Sequence, residues 1–392
     1  MIPYGRQSIS AEDIQAVVDT LQSDFLTQGP AVPAFEQALA GYCQVPYAVA
    51  INSATSALHL ACLALDVLQG DIVWTSPISF VASANCALYC GADIDFVDVD
   101  ATTGLMSVQA LATKLQQAAA ENRLPKVLIP VHLAGHSCAM QEIAELCKPY
   151  NIRIIEDASH AIGGQYQQQK VGSCQYSDLT IFSFHPVKII TSAEGGMAMT
   201  KDASIAGKLR LLRSHGITRD PQEMTEASHG PWYYQQIALG LNYRMTDLQA
   251  ALGLSQSKRL DHFVNRRQEI AGYYHQALAN LPISLPAQPD AVFSAYHLFI
   301  IRLSDQHNRQ QIFSYLRAHG IGVNVHYIPI HLQPYYQQLG FKSGDFPAAE
   351  IFYQSIISIP MYPDLTQAQL DFISSTIRNS LSINFDNSAL IT

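Results

Sequence analysis

Residues 178–200 read DLTIFSFHPVKIITSAEGGMAMT. The runs 178–182 and 196–200 are short and apolar, the pattern of strands buried on both faces. Between them, FSFHPVKIITSAEGG carries Lys188 and almost no other charge. A lysine there either packs its stem and lifts its head to water, or is desolvated with a depressed pKa, as a Schiff-base lysine must be. Glu194-Gly195-Gly196 follows closely, and glycines let backbone approach a ligand.

Outward from this stretch, strand-like runs recur at 47–51, 71–75, 94–97, 126–131 and 152–156. Helix-period segments lie between most of them, at 54–66, 80–90, 107–119 and 138–149. Strands alternating with helices predict an α/β fold: a mostly parallel seven-stranded sheet sandwiched by helices. The division is expected near residue 245, with a large domain over 1–245. Residues 246–392 then hold a long helix (246–280) and a smaller α+β domain with strands at 297–303 and 323–327 and helices at 309–319 and 366–379. The last residues, INFDNSALIT, are polar and expected to fray.

In open α/β sheets, ligands bind beyond the carboxyl ends of the strands. Those ends are followed by Asn52-Ser53-Ala54-Thr55-Ser56, by Pro77-Ile78-Ser79-Phe80, by His132, by Asp157-Ala158-Ser159-His160, and by Ser183 through Lys188. All are expected on one rim. The 53–56 run opens a helix, where free N–H groups favour an anion such as phosphate; simple N-capping is the alternative. Asp157 is either a cap or the acid that keeps a cofactor's pyridine nitrogen protonated. Phe80 either stacks on a flat ring or joins the core. His160 and His185 read equally as core histidines, and Phe184 reads as packing.

Charged residues are 14% of the 392, against roughly 25% in typical globular chains, so large apolar surfaces are available for burial, including between subunits. The net charge of −9, with no basic stripe, argues against nucleic acid. No apolar run reaches the ~18 residues of a membrane span, and MIPYGRQSIS lacks a signal-peptide core. The seven cysteines form no CxxC pair, so neither a metal site nor a disulfide framework is indicated, and a reduced cytoplasmic setting is expected.

Taken together, Ser53-Ala54-Thr55-Ser56-Ala57-Leu58, Glu156-Asp157-Ala158-Ser159-His160, Ser183-Phe184-His185-Pro186-Val187-Lys188 and Glu194-Gly195-Gly196 resemble the fold-type I pyridoxal-phosphate (PLP) sugar aminotransferases of the DegT/DnrJ/EryC/StrS family. Leu26-Thr27-Gln28-Gly29-Pro30, Gly240-Leu241-Asn242-Tyr243-Arg244 and Pro360-Met361-Tyr362-Pro363 extend the resemblance along nearly the whole chain. It implies that Lys188 is the catalytic Schiff-base lysine. Asp157 then faces the pyridine nitrogen, His160 lies near the ring hydroxyl, and Phe80 packs on the ring. Ala54, Thr55 and Ser183 hold the phosphate, and Asn242 reaches the cofactor phosphate of the neighbouring subunit in a homodimer with composite sites. Tyr4, Asp24, Phe25, Leu26, Thr27, Val325, His326, Tyr327 and Ile328 line the sugar-nucleotide pocket. Arg6, Arg219, Arg244 and His326 are candidate diphosphate and carboxylate contacts.

Ile2-Pro3-Tyr4-Gly5-Arg6-Gln7, Trp74-Thr75-Ser76-Pro77, Ser214-His215-Gly216-Ile217-Thr218-Arg219-Asp220 and Gly230-Pro231-Trp232-Tyr233-Tyr234 are similar to one branch of the family. That branch, in pseudaminic acid biosynthesis, aminates C4 of a UDP-linked 2-acetamido-2,6-dideoxy-4-keto-hexose of L-arabino configuration, with glutamate as donor. The product is UDP-4-amino-4,6-dideoxy-N-acetyl-β-L-altrosamine. A sister C4 aminotransferase acting on another epimer is the alternative. A sugar dehydratase of this scaffold carries a histidine where Lys188 stands, and a regulatory relative often carries a DNA-binding appendage; neither feature is visible. Two departures from the family stand out: Thr191-Ser192-Ala193, where Thr-Thr-Gly is usual, which puts a local backbone contact in doubt, and His136, where glutamine is usual, read as a surface change.

Overall fold

The structure is a computed structural model that describes residues 1–304 and 307–382. The expected fraying of 383–392 lies outside the described residues. All seven strands expected in the large sheet form: β1 (Tyr47–Ile51), β2 (Ile72–Thr75), β3 (Asp93–Phe96), β4 (Val127–Ile129), β5 (Arg153–Asp157), β6 (Leu179–Ser183) and β7 (Gly196–Thr200). Their order across the sheet is β1-β7-β6-β5-β4-β2-β3. The ladders among β2, β3, β4, β5 and β6 are parallel, and β7 runs antiparallel to both β1 and β6. Every residue of β4, β6 and β7 is buried, as a sheet covered on both faces requires.

Helices α1 (Ala11–Leu21), α2 (Ala31–Cys43), α3 (Ala54–Ala64), α4 (Ala82–Tyr89), α5 (Val108–Ala120), α6 (Met140–Cys147) and α7 (Ala203–Leu212) accompany the strands. The expected long helix is two, α8 (Asp247–Ser257) and α9 (Leu260–Leu278). The break lies at Asp13 of α1. Its fully buried carboxylate accepts from the Ser255 hydroxyl at 2.7 Å and the Gln256 amide at 2.6 Å, and it pairs with Arg259. Binding one carboxylate from three nearby positions turns the chain there, because a buried charge is tolerated only when paired and hydrogen-bonded.

A second sheet pairs Phe299–Leu303 with Ile283–Ser284 and Ile356–Ile359, and helices Arg309–Ala318 and Gln367–Ser382 cover it. The expected strand at 323–327 does not form. Asn324 makes one bridge to Ser358, after which the chain leaves the sheet and Ile330 N–H donates to the Pro77 carbonyl at 2.8 Å. Residues 325–329 are thereby carried over the end of β2, toward the strand ends of the large sheet.

Candidate active site

Side chains of the large sheet's rim come together as expected, with one exception. Asp157, the last residue of β5, is 5% exposed. Its Oδ2 accepts the Ser83 hydroxyl at 2.6 Å and its Oδ1 accepts the Ser159 N–H at 3.1 Å. Ser79 shares a 2.7 Å bond with Ser83, so the loop before α4 supports the acid. Each carboxylate oxygen retains further accepting capacity. Lys188 follows β6 through a turn closed by its N–H to the His185 carbonyl at 2.9 Å. Desolvation lowers its ammonium to about 8, and the negative charge of Asp157 partly opposes that shift. His185 is exposed, and Phe184 packs against Phe35.

The helix N-terminus lies beside this pair. Ser53 caps α3 by accepting from Ser56 N–H at 3.1 Å, which leaves the first-turn N–H groups of Ala54 and Thr55 without helical partners. Capping and anion binding therefore coexist here. Gly196, paired with Ser183 across the β6–β7 ladder, fixes the approach: a Cβ there would stand 2.6 Å from the Ser53 carbonyl carbon. The glycine thus admits the α3 backbone, and the α3 terminus sits next to Ser183. At Gly195 an added Cβ would stand 2.2 Å from Ser192 Oγ, so that position too has no room for a side chain. Ala193 adopts φ 65°, the left-handed region where a Cβ costs roughly 1–2 kcal/mol, which explains why glycine suits that position.

Around the lysine stands a group of rings. Ala134 N–H donates to His160 Nδ1 at 3.3 Å, which places the ring proton on Nε2, and Nε2 donates to the Tyr327 hydroxyl oxygen at 3.1 Å. That leaves the Tyr327 O–H free to point elsewhere. Phe80 lies 6.4 Å from Tyr327 between ring centres and is 59% exposed, so it is rim and not core. Tyr4 lies 5.4 Å from His326. His326 bonds the Ser358 hydroxyl at 2.8 Å, and burial beside Lys188 lowers it to about 3. It is uncharged at neutral pH, which removes it from the candidate cationic contacts. Among the described residues no carboxylate pairs with Arg6, Arg219 or Arg244.

The exception is His132. Glu156 and Asp157 are successive in β5 and point to opposite faces. His132 follows Glu156, donating Nε2–H to its carboxylate at 2.7 Å while Nδ1 accepts Cys138 N–H at 3.2 Å. Half-buried Ser177 and buried Thr180 complete that cluster, away from the Asp157 side. His136 also differs from its surface reading: it contacts the Ala287 carbonyl at 3.1 Å and the Ser294 hydroxyl at 3.1 Å, and burial lowers it to about 4.

Sequence reasoning missed His297, whose ring lies 4.4 Å from that of His160 and whose Nδ1 is buried without a partner. Its only local signal was a histidine at the head of an apolar strand. Asp24, Phe25, Leu26 and Thr27 are exposed, anchored at their base where Asp247 N–H donates to the Leu26 carbonyl at 3.0 Å. Asn242 is exposed on a backbone bridge to Ser214. Among the described residues no hydrogen bond or ring contact joins these five side chains to the Lys188 cluster. Val325 is half-buried and Ile328 is 48% exposed, on either side of His326 and Tyr327.

His160 and His297 are held well below the usual imidazole range by burial first and then by neighbouring positive charge, Lys188 included. With His326 they form a neutral group whose folded pKa values lie under the unfolded 6.5. Above that pH they cost nothing. As pH falls below it the unfolded chain takes up protons that the folded chain refuses, and stability is lost, by up to about 1.4 kcal/mol per pH unit per group. Denaturant midpoints of cofactor-free protein should therefore drop between about pH 7 and pH 5. A flat profile over that interval would contradict the neutral cluster.

These residues fit pyridoxal phosphate by the chemistry of their donors. A helix N-terminus with hydroxyls suits a phosphate dianion, a buried carboxylate suits a protonated ring nitrogen, and a desolvated amine suits an aldehyde. The DegT/DnrJ/EryC1/StrS aminotransferase family matches residues 7–378. The UDP-4-amino-4,6-dideoxy-N-acetyl-beta-L-altrosamine transaminase of Campylobacter jejuni is 38% identical over 380 residues, 96% of each chain. Among solved structures, Helicobacter pylori PseC, an aminotransferase involved in the biosynthesis of pseudoaminic acid, superposes with a TM-score of 0.88 at 32% identity, covering 97% of this chain and 99% of that one. The putative sugar aminotransferase Spr1654 of Streptococcus pneumoniae, PMP-form, gives 0.88 at 32% identity over 97% of both chains, and its PLP-form 0.87 at 31% over 97% of this chain and 98% of that one.

Proposed function

The chain belongs to the DegT/DnrJ/EryC1/StrS aminotransferase family, and from that premise we propose that it moves the amino group of glutamate to C4 of a UDP-linked 2-acetamido-2,6-dideoxy-4-keto-hexose, giving UDP-4-amino-4,6-dideoxy-N-acetyl-β-L-altrosamine. It is a PLP-dependent sugar aminotransferase. The observation that supports this reading is the meeting of Lys188, Asp157, His160 and the α3 N-terminus at one rim. When bound, pyridoxal phosphate supplies a carbonyl for amines and a ring that draws electrons from the adjoining carbon.

The chain's own residues do the rest. Ala54 and Thr55 N–H groups, with the Ser183 hydroxyl, would hold the phosphate. Asp157, fixed by Ser83 and Ser159, stays an acceptor for the ring N–H. Lys188, with its pKa near 8, is available as both amine and ammonium around neutral pH, so it takes a proton from one carbon and returns it to another. His160 stays neutral and orients the Tyr327 hydroxyl. Tyr4, residues 24–27 and residues 325–328 line the sugar-nucleotide side, and Arg6, Arg219 and Arg244 meet its diphosphate or the donor's carboxylates. One lysine serving both half-reactions implies ping-pong kinetics. Such an enzyme works in the cytoplasm, and among the described residues no helix is long and apolar enough to cross a membrane.

The substrate assignment is tested by competition between the two C5-epimeric UDP-4-keto sugars with glutamate as donor, the products read by mass spectrometry and NMR. The L-arabino epimer should be consumed first and aminated at C4. Preference for the D-xylo epimer, or amination at C3, would move the chain to a sister branch.

Assembly as a homodimer with shared sites is supported by surface chemistry. The hairpin pairing Ile217–Thr218 with Gln235–Gln236 leaves Trp232 66% and Leu239 87% exposed, an apolar face of the kind that meets another protein. Asn242 follows directly and is free to cross. Mixing Lys188→Ala with Asn242→Ala subunits, each impaired alone, should restore activity toward about a quarter of wild type, since half of random dimers carry one intact site. No recovery, with subunit exchange demonstrated, would refute the crossing.

A further inference from the structure

The transamination chemistry assigns no task to His297, a buried ring set against His160. It stands just before the small-domain strand Phe299–Leu303 and is 4% exposed. Its ring centre lies 4.4 Å from that of His160, with the two planes 43° apart. The His160 ring in turn faces Tyr327, with centres 6.0 Å apart and planes 21° apart.

The backbone at His297 is fixed from two directions. Buried Arg267 donates through Nη1 to the carbonyls of Tyr296 at 3.1 Å, His297 at 3.3 Å and Met361 at 2.8 Å. Ala295 N–H donates to the Gly135 carbonyl at 3.0 Å, and Leu298 N–H donates to the Ala134 carbonyl at 3.2 Å. A Cβ on Gly135 would stand 2.9 Å from His297 N and 3.0 Å from the His160 carbonyl oxygen, so the loop after β4 is wedged between the two histidines. The same Ala134 supplies the N–H that His160 Nδ1 accepts at 3.3 Å. His297 thus reaches His160 on the scaffold that also sets the His160 tautomer.

The Nδ1 of His297 is buried with no hydrogen-bond partner among the described residues. An aliphatic side chain of that bulk would fill the space without an unpaired buried nitrogen, which is costly. It would lack the flat face that His297 sets against the His160 imidazole.

We propose that His297 is a positioning residue for the keto-sugar half of the reaction: its ring holds the His160 imidazole against turning, so that His160 Nε2–H stays on the Tyr327 oxygen and the Tyr327 O–H is aimed at the sugar. The inference rests on the reading above, in which residues 325–328 line the sugar side. The order of bonds carries it. Ala134 N–H occupies His160 Nδ1, so the single proton of the neutral ring sits on Nε2 and goes to the Tyr327 oxygen at 3.1 Å. The Tyr327 O–H is then left over with a set direction. Were the His160 ring free to turn, a bare nitrogen would take that O–H, and the sugar would lose it.

The test compares His297→Leu, which keeps the bulk, with His297→Phe, which restores a flat ring, and with Tyr327→Phe. The two half-reactions of PLP-loaded protein are followed separately by the visible absorbance of the cofactor, after rapid mixing with glutamate or with the UDP-4-keto sugar. In His297→Leu the keto-sugar half should slow by about five- to ten-fold, the worth of one hydrogen bond, while the glutamate half stays within about two-fold of wild type. His297→Phe should recover most of the loss. Adding His297→Leu to Tyr327→Phe should cost nothing more, because both changes remove the same aimed hydroxyl. In cofactor-free protein carrying isotope-labelled histidine, nitrogen NMR should place the His160 proton on Nε2 in wild type and in His297→Phe, and show mixed tautomers in His297→Leu. An unchanged keto-sugar half, equal slowing of both halves, additive losses in the double variant, or no recovery in His297→Phe would each overturn the positioning role. So would a His160 tautomer that His297→Leu leaves unaltered. Wild-type protein that takes the amino group from glutamate but does not pass it to the sugar would instead defeat the functional reading, and the NMR comparison would then decide the clamp alone.

Discussion

Lys188→Ala should lose turnover by on the order of 10⁴-fold or more, with the fold intact. The side chain lies in a turn whose closing bond is made by backbone, so truncation leaves Ile189 and Ile190 in their buried positions. What disappears is the amine that His160, His297 and His326 cannot replace. Each of those imidazoles is held neutral far below its ordinary pKa, and a group that resists protonation cannot return a proton near pH 7. Circular dichroism and a denaturation curve establish that the variant folds; steady-state transamination establishes the loss. Turnover within ten-fold of wild type would show that another group moves the proton.

Asp157→Asn should retain the cofactor and lose kcat by roughly 10²–10³-fold, the scale of removing one preorganised electrostatic contact at a reacting centre. An amide nearly matches the carboxylate in shape. It can still accept the Ser83 hydroxyl through its oxygen, so Ser79, Ser83 and α4 keep their places. It cannot stabilise a positive ring nitrogen. The defect should therefore appear in kcat, with KM for the keto-sugar little changed. A variant that turns over like wild type would make Asp157 an ordinary cap for Ser159.

Local chemistry explains which parts were legible beforehand. The central strands of the large sheet are short, mostly apolar runs whose burial leaves a plain mark in sequence, and residues after strand ends fall on one rim by topology. That reasoning brings Asp157, His160, Ser183 and Lys188 together. It fails for His132, because the partner that claims it, Glu156, sits one residue before Asp157 and so faces the other way. The reversal of β7, pairing Ser183 with Gly196, depends on long-range assembly and left no local signal.

The other misreadings share that cause. The break between α8 and α9 is set by Asp13, far away in α1. Residues 323–327 look like a strand because Val323 and Val325 alternate with polar residues, yet the Pro77 carbonyl and the Ser358 hydroxyl direct the segment out of the sheet and over the site. His136 looks like a surface residue until Ala287 and Ser294 close over it.

Borohydride reduction of the PLP-loaded protein, followed by peptide mapping with and without prior glutamate, tests the central assignment most directly. The phosphopyridoxyl mass should fall on Lys188 in the untreated sample and be absent after glutamate, when the amine has been displaced. A label on any other lysine, or a label on Lys188 that glutamate does not remove, would contradict it.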